Sequence, residues 1–410
     1  MLSPVGLLNA IHVLVLGGIT TIVSSWLRLG VAARSLPMPA KVDQELAHIT
    51  TRSQLLEHIA RVATQAPLLD RKWSGESPAS SPADSYRVLQ FNTLARGLSS
   101  SPNATPLLPA REVSSYGGFD HLEEPERVLD WSTRRWKLLQ EILRVDADIL
   151  ALQEVDHYGD FFAPTLTAAG YETAFQVSDS ASGVRFGYYA DGVVLAWRRE
   201  RLKLVRINRS TSSRSGRASI VATLEALKDG RRIVIACTHL NSKTGQKRED
   251  LRYFQTSKLL EDIDEARTLA RGTEGQLEAV ILAGDFNTDP HDVTHPKAHA
   301  AKAIPSVRAY GLASAYPLAL DESAFNGEDV AIWTTWKVRG DYEAKHQIDY
   351  IWYEGFKCTS VLLPPAKLGP GRLPSLSYPS DHIAIAADLQ LNPCSDTHCD
   401  GVDMVKGQSI

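Results

Sequence analysis

Two periodicities run along this chain. Between residues 86 and 391, short apolar runs recur: "YRVLQFN" (86–92), "DILALQEV" (148–155), "YETAFQV" (171–177), "GVVLAWR" (192–198), "SIVATLEAL" (219–227), "RIVIACTHL" (232–240), "AVILAGDF" (279–286), "QIDYIWY" (347–353) and "DHIAIAADLQL" (381–391). Rich in branched and aromatic residues and bounded by polar ones, they read as buried strands. The wider spacing of an amphipathic helix runs from about Ser132 to Val145, with Trp136, Leu139, Ile142 and Leu143 on one stripe. It returns from about Lys247 to Ala270, with Leu251, Phe254, Leu259, Ile263 and Ala266. So many strands with interspersed helices predict an α/β fold with at least one large sheet covered by helices, and two packed sheets suit a domain of this length. No internal repeat shows at a fixed period.

The flanks differ. From Gly6 to Leu27 there is no charged residue, close to the ~20 apolar residues that span a bilayer. Arg28, Arg34 and Lys41 follow, so as an anchor the segment would leave the rest of the chain in the cytosol. The absence of acidic residues before Asp43 supports a second reading, a mitochondrial presequence, and a cleaved secretory signal is the third. Sugar on the sequons at Asn103 and Asn208 would accompany a lumenal location. Residues 1–30 are thus an anchor or targeting segment, and residues 31–83 a helical segment plus linker. The helical pattern over 43–70 (Leu46, Ile49, Leu55, Ile59, Val62) predicts a docking helix pair, and "SGESPASSPADS" (74–85) a linker. The main domain takes residues 84–392, and a flexible tail residues 393–410. Residues 97–130, rich in Ser, Pro and Gly, have the length of a lid or a disordered connection.

Composition narrows the function. Lys+Arg number 44 against Asp+Glu 48, for a net charge of −4, which argues against a protein whose main affinity rests on a dense cationic footprint for nucleic acid and leaves room only for a local basic patch. Of the four cysteines, Cys237 and Cys358 sit in apolar runs as small hydrophobes. Cys394 and Cys399, with His398 between them, supply too few ligands for a metal site. No disulfide framework is indicated, which fits a reducing compartment, cytoplasm or mitochondrion.

Several strands end in the same narrow set of polar residues: Asn92, Glu154, His239, Asp285 with Asn287, Asp349, and Asp381 with His382. Singly, Asn92, Asp285 and Asn287 are ordinary turn formers, Glu154 a surface charge, His239 a core histidine, and Asp349 with His382 a structural ion pair. Together at strand termini they would converge on one rim, and crowded carboxylates need a cation. Oxygen ligands without thiolates favour Mg²⁺ or Mn²⁺ over zinc. Asp285 and Asn287, two residues apart, should share one strand face.

The ordered motifs "QFN", "LQEVD", "THL", "GDFN", "IDYIWY" and "YPSDH" resemble the endonuclease/exonuclease/phosphatase superfamily over about residues 84 to 392. That implies a two-sheet α/β sandwich with helices on the outer faces. The contexts "LQEVDHYGDFFAPTLTAAGY", "TTWKVR" and "LGPGRLPSLSYPSDH" resemble the member of its deadenylase-like branch that lacks a leucine-rich-repeat domain. By resemblance, Glu154 is the principal metal ligand, with Asn92 beside it and Asp381 in the outer shell. Asp285 holds or deprotonates the attacking water and Asn287 stabilises the phosphoryl oxygens. Asp349 orients His382, which touches the scissile phosphate, while His239 contacts another phosphate oxygen. The activity so implied is removal of the 2′-phosphate from NADP⁺ and NADPH, by a monomeric catalytic domain. A poly(A) 3′-exonuclease acting on RNA is the alternative, and a catalytically dead, membrane-tethered binding module a minor one. Lys243, Lys247 and Arg248 are candidates to grip a pyrophosphate, although the family more often places two basic residues directly behind "THL", where this chain has Asn241 and Lys243. Trp333, Trp336 and Tyr350 are candidates to stack on a base, against the commoner role of core aromatics.

Overall fold

The nine apolar runs, joined by three strands that the pattern did not mark (Leu202–Thr211, Ala313–Ser314 and Phe356–Val361), assemble into two six-stranded sheets. The first contains β1 (Ser85–Asn92), β2 (Ile149–Val155), β3 (Tyr171–Val177), β4 (Gly192–Arg198), β13 (Phe356–Val361) and β14 (Ile385–Leu391), in the order β13-β14-β1-β2-β4-β3. The second contains β5 (Leu202–Thr211), β6 (Ala218–Ala226), β7 (Arg232–His239), β8 (Leu277–Asp285), β9 (Ala313–Ser314) and β12 (Asp349–Glu354), in the order β5-β6-β7-β8-β12-β9. A separate hairpin pairs β10 (Thr335–Arg339) with β11 (Tyr342–His346). This computed structural model describes residues 38–392 except 40, 64–65, 76–81, 83, 101–105, 109–117, 120–121, 272–276, 291–299, 318–331, 340–341 and 370–371. The apolar segment 6–27, the sequon at Asn103, most of the linker, residues 101–105, 109–117 and 120–121 of segment 97–130, and the tail with Cys394, His398 and Cys399 lie outside the described residues. Among those described, no helix is long and apolar enough to cross a membrane.

The two sheets repeat one plan. In each, one central pair is parallel, β1 with β2 and β7 with β8, and every other pairing is antiparallel. A parallel pair needs a crossover. Here α2 (Trp131–Val145) links β1 to β2, and α3 (Gln246–Arg271) links β7 to β8. The repeat is one of topology, without a matching sequence period.

Strand alternation then builds the layers. Val88, Ile149, Ala151, Val193, Ile233, Ile235, Ile281, Ala283, Ile351 and Ala387 form the layer between the sheets. The opposite faces of the first sheet, with Leu89, Phe91, Leu150 and Val194, pack on Trp136, Leu139, Ile142 and Leu143 of α2. On the second sheet, Val234, Val280, Leu282 and Trp352 meet Leu259 and Ile263 of α3 and Ile304 and Val307 of α4 (Ala303–Ala309). Central strands buried on both faces explain why the sequence shows continuous apolar runs instead of clean alternation.

Three expectations shift. The pattern over 43–70 yields one helix, α1 (Arg52–Val62), and a single 3₁₀ turn (Gln44–Leu46) where two helices were expected. Thr51 and Gln54 form a capping box at the start of α1, and Leu55 and Ile59 pack into the α2 cluster. β14 begins at Ile385, not Asp381, because residues 381–384 leave the sheet and His382 bridges to Thr335. Strand β5 has no apolar signature: it is an edge strand with Lys203, Leu204, Val205 and Arg206 all exposed. From segment 97–130, Phe119, Leu122, Val128 and Leu129 are described and form a small cluster with Leu94.

Truncating the inter-sheet layer should be costly because strands wall it on both sides. We expect Ile281→Ala, fully buried in the protein, to lose about 2–5 kcal/mol of stability, read as a lowered urea midpoint with an unchanged slope.

Candidate active site

The parallel pairs end at the same rim, and the candidate side chains hang from those ends. His239 closes β7 opposite Asp285, which closes β8, and Asp285 faces Asp349, the first residue of β12. Asn92 closes β1. Its Nδ2 donates to both Glu154 Oε1 (3.1 Å) and Asp285 Oδ2 (3.0 Å), so one point joins carboxylates from the two sheets. His239 Nε2 lies 3.6 Å from Asp285 Oδ2 and 4.0 Å from Glu154 Oε1. His382 Nε2 lies 3.9 Å from the same Asp285 oxygen.

Glu154 reaches this point through its backbone. Gln153 and Glu154 are consecutive, and plain alternation would send them to opposite faces. Both nevertheless face the second sheet, since Gln153 Nε2 donates to Cys237 Sγ (3.6 Å) and Glu154 meets His239. The device is a left-handed residue, Glu154 at φ 56°, within a register shift between Leu152 and Val155. For a glutamate that conformation is strained by about 1–2 kcal/mol. It is held by Ala95 N–H on Glu154 Oε2 (3.2 Å) and by Thr93, whose backbone N–H and Oγ1 both donate to the Gln153 carbonyl. Asn287 corrects a sequence expectation in a related way. It sits beyond β8 at φ 52°, so it does not share a strand face with Asp285. Its backbone N–H donates to Asp285 Oδ1 (2.8 Å), an Asx turn, while its Nδ2 donates to the Leu240 carbonyl (3.1 Å).

Asp349 is fixed through both oxygens. Oδ2 pairs with His382 Nδ1 at 2.8 Å and Oδ1 accepts from Gln90 Nε2 at 2.9 Å. Gln90 Nε2 also donates to Gln153 Oε1 (2.7 Å), giving a buried polar ladder from Cys237 to His382 across both sheets. Burial alone would pull the His382 pKa down, but the Asp349 carboxylate outweighs it and raises it to about 9. His382 is therefore an imidazolium at neutral pH. Burial and the Asp349 charge lift Asp285 to about 7. His239 goes the other way, pushed well below 6.5 by burial, Arg217 and His382, so it is neutral. Burial, Asp381 and Asp191 raise Glu154.

Two carboxylates driven towards protonation at one point mark a place that a divalent cation would stabilise. Ligand atoms of Asp285, Asp349 and His382 also lie within 4.8 Å of one another. In that group, however, His382 Nδ1 and Asp349 Oδ2 are already bonded to each other. Asn92 turns its amide nitrogen to the carboxylates and its Oδ1 to Leu94 N–H, so coordination through Oδ1 would need the amide to rotate. Asp381 Oδ2 accepts from Lys337 Nζ at 3.1 Å.

The basic candidates stand apart. Lys243, Lys247 and Arg248 are exposed, and among the described residues no hydrogen bond or ion pair joins them to the cluster. The loop carrying Lys243 is held from beneath by Arg252, whose Nη1 donates to the Asn241 (3.1 Å) and Lys243 (2.8 Å) carbonyls. Tyr350 is a core residue, fully buried and stacked on Trp352. Trp333 is buried, and half-buried Trp336 lies against Lys345 and Arg372. Sequence reasoning missed Gln90, Gln153 and Arg134. Fully buried Arg134 donates to the Thr93 (3.0 Å) and Pro379 (3.1 Å) carbonyls, tying the loop after β1 to the loop before His382. Arg134 lies off the apolar stripe of α2, so its burial had no signal in the sequence pattern.

The model of the Endonuclease/Exonuclease/phosphatase family matches residues 89–382, with the rim residues inside it. The chain belongs to the endonuclease/exonuclease/phosphatase family. It is 31% identical over 382 residues to nocturnin of Xenopus laevis, covering 88% of this chain and 89% of that protein. The solved catalytic domain of human nocturnin, with bound sulfate, superposes with a TM-score of 0.55 at 28% identity, covering 79% of this chain and 97% of the other. The CCR4-Not complex 3′-5′-exoribonuclease subunit Ccr4 of Aspergillus niger is 25% identical over 389 residues, covering 79% of this chain and 55% of the relative. The chain is a hydrolase of this family, similar to nocturnin.

Two outcomes follow from the geometry. A Cβ on Gly284 would lie 2.3 Å from the Thr238 carbonyl oxygen on the paired strand. Gly284→Ala should therefore cost about 1–3 kcal/mol in thermal unfolding and displace Asp285. His382, raised from 6.5 to about 9 by folding, stabilises the metal-free protein fully below pH 6.5, and the contribution fades as pH rises through about 9. Melting curves of wild type and His382→Gln in EDTA should differ most near pH ~6 and converge above pH ~9.

Proposed function

We propose that the rim hydrolyses a phosphate monoester with the aid of Mg²⁺ or Mn²⁺, and that its substrate is the 2′-phosphate of NADP⁺ or NADPH. The observation that carries the reading is the convergence of Glu154, His239 and His382 on Asp285, drawn from both sheets, around an imidazolium already fixed by Asp349.

Glu154 would hold the cation, with Asn92 and Asp381 beside it, and the ion would supply charge neutralisation at the phosphoryl oxygens. Asp285 orients the attacking water and accepts its proton, a role that a carboxylate poised near 7 performs at neutral pH. His382 presents Nε2–H to a phosphoryl oxygen while Asp349 keeps its tautomer and charge. Neutral His239 contacts another oxygen without adding repulsion to the imidazolium. Asn287 lies within one Asx turn of Asp285, close enough for its amide to leave the Leu240 carbonyl for the transferred group. Phosphoryl transfer asks mainly for positioning and charge, and these residues supply both.

The motif resemblance, the acidic net charge and the lack of a long basic stripe favour the dinucleotide. Similarity to an exoribonuclease subunit favours the second reading, removal of 3′ adenylates from RNA. Glu154→Ala should abolish metal-dependent phosphate release from NADPH, a loss of at least about a thousandfold in kcat by the measure of other lost catalytic groups. Undiminished turnover would defeat the metal assignment. Parallel assays of the full-length protein on NADPH and on an adenylate oligomer decide the substrate: shortening of the oligomer without phosphate release from NADPH installs the alternative.

A further inference from the structure

Next to the rim lies a cavity of about 240 Å³ walled by the end of β5, the start of β6 and the first half of α3. Its lining is rich in hydrogen-bond donors. Arg217 and Lys258 are the cations in its lining, and the Arg217 side chain is only 10% exposed. The β6–β7 register ends with Ser219 opposite Thr238, which brings Arg217 to the rim end of the strand that carries His239. Its charge is felt there, since it is the largest influence on His239 after burial.

The guanidinium is loosely held. Nη2 donates to Ser242 Oγ at 3.5 Å and Nη1 stands 3.8 Å from Asp191 Oδ2. Both are longer than the ~2.7–2.9 Å of a formed charge-assisted bond. Asp191 Oδ2 makes no hydrogen bond among the described residues although it is buried. Other donors around the cavity are equally open. Gln255 Oε1 accepts from Asn241 N–H (3.0 Å), and among the described residues neither its NH₂ nor the Ser212 hydroxyl makes a hydrogen bond. The acid on this wall, Asp262, is neutralised by Lys258 at 3.0 Å. A guanidinium that is only 10% exposed and makes only these long contacts has donor capacity left for an anion.

We propose that this cavity is a phosphate subsite for the part of the substrate that is not hydrolysed, with Arg217 as its anchoring cation. The ligand class is a nucleotide carrying a second phosphate: the pyrophosphate of a dinucleotide, or the neighbouring phosphodiester of an adenylate chain. Arg217 thereby adds a nearly buried cation to the exposed candidates Lys243, Lys247 and Arg248. The proposal rests on the hydrolase reading of the rim and is tested apart from it.

The experiment measures NADPH binding to the full-length protein in EDTA, by nucleotide fluorescence, and steady-state hydrolysis with Mg²⁺, for wild type, Arg217→Gln and Arg217→Lys. Arg217→Gln should weaken NADPH binding and raise KM about tenfold or more, with kcat changed by less than about threefold. Arg217→Lys should recover part of the loss because the charge remains. Competition by inorganic phosphate separates the two sources of the anion. Weakened phosphate inhibition with an unchanged KM for NADPH would make the cavity a site for free phosphate and overturn the proposal. Unchanged NADPH binding in Arg217→Gln, or a fall in kcat and melting temperature with KM unmoved, would also overturn it. If wild type binds NADPH without hydrolysing it and Arg217→Gln loses that binding, the subsite stands and the phosphatase reading falls. If wild type fails to bind NADPH but hydrolyses an adenylate oligomer, the same KM shift must appear on the oligomer, and its absence overturns the subsite.

Discussion

Carboxylates withdrawn from water and set beside one another are unstable unless positive charge lies between them, and the rim of this protein is organised around that constraint. Glu154 and Asp285 come from different sheets and share one donor on Asn92. Asp349 resolves its own burial with His382 and Gln90. What remains is a concentration of negative charge that His382 balances only in part. Neutral His239 adds none. The residual deficit is the physical basis for a divalent cation, and it makes the same rim receptive to phosphate once that cation is in place.

The rest of the fold serves to hold that unfavourable arrangement. Repeating one strand plan in both sheets places the ends of two parallel pairs at a single edge. Layers of fully buried aliphatic side chains on both faces leave the strands little freedom to relieve the crowding. Local strain marks the points of control. Glu154 and Asn287 both adopt left-handed backbone conformations, and at Gly284 the neighbouring carbonyl leaves no room for a side chain. Arg134 ties the two loops that flank the rim, so the positions of Asn92 and His382 are not independent.

Much of this was legible in the sequence, and the reasons are particular. Strands buried on both faces announce themselves as unbroken apolar runs, so β4 appears with its boundaries intact. Residues such as His239 and Asp285 were visible because several runs end in the same narrow set of polar residues, although each alone has an ordinary structural role. Edge strand β5 was invisible because both its faces meet solvent, and β14 was read four residues too early because "DHIA" continues an apolar pattern that the backbone does not follow. The Gln90–Gln153 ladder could not be seen, since the two amides lie inside runs read as hydrophobic. The basic candidates Lys243, Lys247 and Arg248 are exposed and make no bond to the cluster among the described residues, and sequence proximity to His239 does not say which side of a loop faces the rim. Arg217, distant from the motifs, is brought there by register alone.

The position of the cation at the rim decides how Glu154, Asp285 and His382 divide their roles. Crystals of the protein soaked in Mn²⁺ and measured at the manganese absorption edge would show it directly. An anomalous peak within bonding distance of Glu154, on the Asp285 side of the rim and with the Asp349–His382 pair intact, is the predicted result. A peak seated between Asp349 and His382, or no peak at the rim at all, would contradict it.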